Sequence, residues 1–215
     1  MNKKIMIIGG GGHAKVLLEI LQRLQCDVYA VVAPDIDKKS WLFKDLKHYV
    51  SDVEVLSYST DQVILVNGVG SLPGNTIRRS IFDKFSHIGY EFLTVVSDLA
   101  IVSSFSTLGM GVQIMPGAII NADTNIGANS IINSGAIVEH DCNLGHNNHI
   151  APGAVLSGGV VTGNYVHVST GAIIIQGIYI GDHAMIGAGA TLTQDLKSHD
   201  MLYVAKPFLA KKEVS

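Results

Sequence analysis

Between Leu108 and Leu192 every sixth residue is aliphatic, with one exception. The file reads Leu108, Ile114, Ile120, Ile126, Ile132, Val138, Leu144, Ile150, Leu156, Thr162, Val168, Ile174, Ile180, Ile186, Leu192. Ile, Leu and Val make up 64 of the 215 residues, so roughly four or five of fifteen positions would match by chance. Two positions before the aliphatic the side chains are mostly small, as at Ala118, Ser130, Ala136, Cys142, Ala154 and Ala172. Glycine follows it at 109, 127, 145, 163, 181 and 187. A six-residue period of this kind is the signature of a β-helix, in which each repeat supplies one short strand and one corner. The aliphatic fills the axis and the small residue lets the corner close.

Three hexads to a coil turn sequence distance into spatial distance. Residues 18 apart stack one strand spacing apart, ~4.8 Å, and fifteen hexads give five coils. His140, Gly158 and Gln176 therefore share one outward column, Thr170 and Ala188 a second, and His149 and His167 a third. A glycine above an exposed histidine leaves room for a thin ligand such as a pantetheine arm. Glu139 and Asp141 flank His140, and an adjacent acid fixes an imidazole's tautomer and raises its basicity. His183 and His199 read as solvated surface. Ile119, Ile131, Ile137, Val155 and Ile173 fall at outward positions and suit packing against other subunits.

Composition narrows the function. The net charge is −3, with 15 Lys plus Arg spread thinly, which argues against nucleic acid or an anionic membrane as partner. No apolar run approaches the ~18 residues of a membrane span. The apolar stretch at Ile5–Ile8 ends in four glycines without a cleavage site, so a signal peptide is not expected there. Cys26 and Cys142 are the only cysteines, and Cys142 points into the coil, so no disulfide framework is expected. A soluble, cytoplasmic protein is the expectation.

The first third of the chain has another period. Ile5–Ile8 reads as a buried strand, Gly9–Gly12 as a turn, and His13–Gln25 as an amphipathic helix with apolar residues at 17, 20, 21 and 24. Strands fit Val28–Val32 and Val63–Val66, and Asn75 caps a helix over Thr76–Phe85. Strand, glycine turn, helix, strand is a βαβ unit. Gly9-x-Gly11-x-x-Ala14 meets the loose dinucleotide fingerprint, with Asp35 lying 26 residues on from Gly9. Such a turn brings backbone N–H groups and a helix N-terminus to phosphate. About 95 residues hold one mononucleotide-binding half rather than two, which favours a nucleotide handle over a dinucleotide.

The opening IIGGGGHAKVLLEIL, the NGVG with Arg78 downstream, and VEHDC at Val138–Cys142 within an unbroken hexapeptide array resemble the NeuD/PglD-like acyltransferases. These are bacterial nucleotide-sugar N-acetyltransferases and their sialic-acid O-acetylating relatives. The resemblance implies a Rossmann-like nucleotide-sugar-binding domain over residues 1–95, a left-handed parallel β-helix over 96–197 and a tail over 198–215. It further implies a homotrimer with acetyl-CoA in the groove between adjacent β-helices. Carried over, the general base falls on His140 and the acid that tunes it on Asp141. Acetyl-CoA contacts fall on His149, Gly158, Thr170 and Ala188. Nucleotide-sugar contacts fall on Gly11, Gly12, His13, the acids Asp35 and Asp37, and Gly70. The family's paired acids are separated here by Ile36, and its Gly-x-Pro-Ala-Lys turn is replaced by Ala205-Lys206-Pro207-Phe208-Leu209.

The expected activity is acetyl transfer from acetyl-CoA to the 4-amino group of a nucleotide-linked sugar, with UDP-4-amino-4,6-dideoxy-N-acetylglucosamine as first choice and no metal. O-acetylation of a sialic-acid-like sugar is one alternative. A zinc site built on His149 and His167, as in gamma-type carbonic anhydrases, is a second. A non-catalytic nucleotide-sugar sensor is a third.

Overall fold

The structure is a computed structural model that describes residues 3–36 and 41–204. The N-terminal part is a parallel sheet of β1 (Lys4–Ile8), β2 (Val28–Val32), β3 (Lys47–Tyr49) and β4 (Val63–Asn67), in the order β3-β2-β1-β4. Helix α1 (Gly12–Arg23) covers one face and α2 (Ile77–Ile88) the other. Alternation in β1 decides which side chain meets which helix. Ile7 packs with Leu17, Leu18 and Leu21 of α1, while Met6 and Ile8 pack with Phe82 and Phe85 of α2.

Helix ends differ from the periodicity by a few residues. Helix α1 stops at Arg23 because Gln25 takes a left-handed φ of 58°. Helix α2 runs past Phe85 to Ile88, where Gly89 ends it at φ 102°, as glycine commonly does. The Asn75 side chain accepts from the Ile77 N–H at 2.9 Å. Strand β3, an edge strand of three residues, carries too short a pattern to read in sequence.

From Val95 to Leu202 the chain forms a parallel β-helix of two-residue strands in three faces. The first face holds seven strands, including Ile131–Ile132 and His149–Ile150; the second holds six, including Ile137–Val138; the third holds five, including Asn143–Leu144. Pairing follows the 18-residue ruler, as in Ile131 with His149 and His149 with His167. The aliphatic file lines the axis, and its members from Ile114 onward are buried. The exception, Thr162, faces Asn148 inside the coil, where its hydroxyl accepts from the Asn148 amide. Polar meets polar, so neither group is orphaned. The glycines at 127, 145 and 163 mark a corner where successive backbones nearly touch; a Cβ on Gly127 would sit 2.5 Å from the Gly145 carbonyl.

The sheet domain packs on the lower coils of the first face. Val95, Met115 and Ile131 join α1 in one cluster. Ile131 is 1 % exposed, which corrects its reading as a subunit-facing residue: the chain's own helix covers it. Ile119, Ile137, Val155 and Ile173, with Ile101 below, instead form one outward file on the second face. Ile101 and Ile173 are 65 % and 44 % exposed, so an apolar stripe lies open there.

Candidate active site

Three stations carry the chemistry-bearing residues. The first is the glycine turn. In the order β3-β2-β1-β4 the succession of parallel strands switches sides between β1 and β4, and open α/β sheets hold ligands outside the carboxyl ends at such a point. Gly9 and Gly68 close that crevice: a Cβ on Gly9 would meet the Gly68 backbone at 2.8 Å, and one on Gly68 the Ile7 side chain at 2.6 Å. Gly11 and Gly12 face open space, with nothing within 4 Å of a Cβ built there. Gly11 caps α1 without any side-chain hydrogen bond, which leaves the first N–H groups of the helix free for an anion. Gly70 lies against His13: a Cβ built on it would fall 3.5 Å from the His13 Cβ. Asp35 is exposed and its Oδ1 accepts from the adjacent Ile36 N–H at 2.9 Å. Asp37, like Ala205–Leu209, lies outside the described residues.

The second station is the seam between the sheet domain and the β-helix. His13 Nε2 is 2.8 Å from Gln113 Oε1, and Gln113 Nε2 donates to the Asn67 carbonyl at 2.9 Å. Arg78, 5 % exposed, donates to the carbonyls of Asn67, Val69 and Asn129. Burial lowers the Arg78 pKa to about 9. Burial, then the Arg78 charge, lowers that of His13 to about 4. Two coils above Gln113, His149 is 8 % exposed and touches His167 edge-on at 4.8 Å between ring centroids. Burial takes its pKa down to about 3, helped by His167, His13 and Arg78. Asn133 Oδ1 accepts from the Ser134 N–H, so its amide N–H faces His149 Nε2 at 3.1 Å. The proton of His149 then sits on Nδ1, a buried atom with no well-aligned hydrogen-bond partner among the described residues, although the Ser71 backbone lies close enough to raise the ring's pKa slightly against burial. Among the described residues no group of three metal-ligating side chains occurs. Beside the seam, residues 71–76 wall a pocket with Tyr165, His167 and His183, and Arg79 sits 4.3 Å over the Tyr165 ring. His183 and His199 are exposed as expected and stack on Tyr165, at 4.6 and 4.9 Å between successive rings.

The third station is the edge between the second and third faces. His140 Nδ1 lies 2.6 Å from Asp141 Oδ2, and both side chains are about two-thirds exposed, at 64 % and 63 %. The Asp141 hydrogen bond raises the His140 pKa against an opposing effect of desolvation, with the Asp141 and Glu139 charges adding to the rise. Glu139 is itself held by the Asn121 amide at 2.7 Å. A Cβ on Gly158 would fall 2.6 Å from His140 Cε1. The room above that glycine is thus filled by the imidazole itself, which corrects the expectation of a gap for a ligand arm. Cys142 is buried and its thiol donates to the Ser157 carbonyl. Thr170 and Ala188 lie exposed on a different edge, between the first and second faces.

One chain brings together His140, Asp141 and Gly158, and separately His13, Gly70 and the free end of α1. It does not bring the two groups to one place, because the edge of His140 is opposite the first face. Sequence reading missed Gln113, Asn67, Asn129 and Asn133. Gln113 shares the 18-residue column of His149, but nothing in the spacing says that it is sealed.

Residues 4–85 match the model of the PglD N-terminal domain, and residues 123–158 that of the bacterial transferase hexapeptide with six repeats. The structure of PerB from Caulobacter crescentus, in complex with CoA and GDP-perosamine, is 33 % identical with a TM-score of 0.82, over 94 % of each chain. The acetyltransferase domain of PglB from Neisseria gonorrhoeae, in complex with acetyl coenzyme A, is 29 % identical with a TM-score of 0.84, over 94 % of this chain and 96 % of that one. The UDP-N-acetylbacillosamine N-acetyltransferase of Bacillus subtilis is 34 % identical over 117 residues, 53 % of this chain. The match spans about half of that curated relative, 51 % of its length.

Proposed function

This chain belongs to the PglD-like hexapeptide acyltransferases, and on that premise we propose that it transfers acetyl from acetyl-CoA to the 4-amino group of a nucleotide-linked amino-dideoxy sugar. The observation that carries the reading is the exposed, acid-paired His140 beside an open apolar stripe. Covering that stripe by threefold packing of the second faces sets the His140 edge of one copy against the Thr170 and Ala188 edge of the next. That is the groove in which acetyl-CoA would lie, and it closes the distance that separates the stations within one chain. A homotrimer with three interfacial sites follows.

In this reading the free N–H groups at the start of α1 hold the diphosphate. The sugar amine arrives as an ammonium, which has no lone pair to attack with. His140 Nε2 takes its proton, and Asp141 holds the other ring nitrogen and stabilises the imidazolium. The amine then adds to the thioester carbonyl, and the C–S bond breaks to release CoA as thiolate. His140 passes that first proton to water, then takes the second proton from the nitrogen of the tetrahedral adduct and delivers it to the departing sulfur, so that an amide and the CoA thiol result. Transfer is direct, since Cys142 is sealed inside the coil and burial raises its thiol pKa. We place the reaction in the cytoplasm, where acetyl-CoA is supplied.

UDP is the first choice of nucleotide, through Asp35 and Asp37, whose carboxylates would accept from the uracil N3–H. GDP is the second reading, favoured by the match to PerB over most of the chain. Thiol release from acetyl-CoA in the presence of UDP- or GDP-linked 4-amino sugars tests both. Turnover with neither nucleotide sugar, or light scattering that reports a monomer at micromolar concentration, would overturn the proposal.

A further inference from the structure

Gln113 is a buried polar side chain in the seam between the sheet domain and the β-helix, and nothing in the reaction above uses it. It is fully buried, on the first face of the β-helix, 100 residues from its partner His13. Its orientation is not free. The Asn67 carbonyl oxygen can only accept, so the Gln113 NH₂ must face it, and they meet at 2.9 Å. That carbonyl is itself pinned by an N–H of Arg78 at 2.9 Å. The Gln113 carbonyl oxygen is thereby turned onto His13 Nε2, at 2.8 Å. An oxygen there demands an N–H from the ring. Nε2 therefore carries the proton, and Nδ1 is left with its lone pair.

We infer that Gln113 is a positioning residue that fixes the tautomer of His13, so that His13 Nδ1 accepts an O–H or N–H of the bound sugar rather than clamping its diphosphate. The inference rests on the reading that the Gly11–Gly12–His13 turn holds a nucleotide-sugar. Nδ1 has no hydrogen-bond partner among the described residues and is not among the sealed polar atoms. The titratable groups around the ring are Arg78 and His149; the Arg78 charge disfavours a second proton on His13, against the hydrogen bond to Gln113, and burial takes the pKa of His149 itself down to about 3. Burial acts in the same direction, which keeps the ring neutral at pH 7. A neutral ring with a lone pair facing the ligand has nothing to offer a phosphate oxygen. It discriminates among sugars by the donor each presents.

The direct test is NMR of the full-length protein with ¹⁵N-labelled histidine. His13 is expected neutral at pH 7, protonated at Nε2 and not titrating above pH 5. An imidazolium at pH 7, or a proton on Nδ1, overturns the inference. Binding provides a second readout by calorimetry. His13→Ala is expected to weaken the nucleotide amino sugar by roughly two- to tenfold, the range of one net hydrogen bond, and to leave free UDP or GDP unchanged. His13→Asn puts an amide oxygen near the Nδ1 position and should recover part of the loss. Gln113→Glu faces the ring with a carboxylate, and is expected to charge His13 and raise KM for the sugar while KM for acetyl-CoA and kcat stay put. Equal weakening of free UDP or GDP by His13→Ala means a phosphate clamp and sinks the inference. If Gln113→Glu does not fold, the wild-type spectrum and the two His13 variants decide. Wild type that binds no nucleotide-sugar would refute the proposed function, and the NMR result would still decide the state of His13.

Discussion

His140 and His13 are the same side chain in opposite circumstances. On the β-helix edge, His140 stands in solvent beside a carboxylate and its pKa rises. In the seam, His13 is packed against an amide under a buried arginine and its pKa falls to about 4. One is prepared to accept a proton at neutral pH and the other to refuse one. Protonation behaviour here is set by neighbours, not by residue type, and the two regions use different devices: a local acid one residue away on the edge, and desolvation by a second domain in the seam.

The strongest test of that contrast removes the exposed histidine. His140→Ala should cut turnover by about 10²–10⁴-fold, the usual worth of general-base help, with acetyl-CoA affinity little changed. Steady-state kinetics on the purified protein would measure it, and unchanged turnover would take His140 out of the chemistry. Next is Gly158→Ala, whose methyl would collide with the imidazole. A displaced base costs on the order of 10²-fold, and circular dichroism should show the fold intact. Activity close to wild type would mean that the ring has no fixed place.

Asp141→Asn sharpens the same comparison more gently. The carboxylate raises the His140 pKa, so the neutral base is lost as pH falls through that raised value. With the amide in its place, the acid limb of the pH–rate profile should move to lower pH and turnover should fall by about tenfold at its plateau. A limb that stays put would mean another group controls it.

The smallest effect is on stability, and it belongs to the seam. His13 and His149 hold folded pKa values of about 4 and about 3 against about 6.5 unfolded. The unfolded chain therefore binds more protons as pH drops below 6.5, and stability falls from there toward pH 4. Scanning calorimetry should show Tm declining over that window, by about 2–4 °C for each kcal/mol lost. Replacing both histidines by Asn should flatten the slope. A Tm that rises on acidification would contradict the burial of both rings.

Much of the β-helix could be read from sequence because its repeat is translational. Once Ile114 and Ile132 point inward, the 18-residue coil fixes the column of every residue between them, and His149 over Ile131 follows. The pairing of His140 with Asp141 could be read for the same reason, since it lies within two residues. Strand β1 and the glycine turn were legible from four apolar residues and four glycines. Strand β3 was not, because three residues on a sheet edge carry no period.

The sequence by itself thus determined the inward file, the columns and the exposed base, since spacing along the chain equals spacing in space when each coil contacts only the next. The tertiary structure alone decided that Ile131 is covered by α1, that Gly158 receives the His140 ring, and that Gln113 meets His13 across 100 residues. Burial and orientation depend on which distant surface arrives, and a one-dimensional period holds no record of what packs against its outer face.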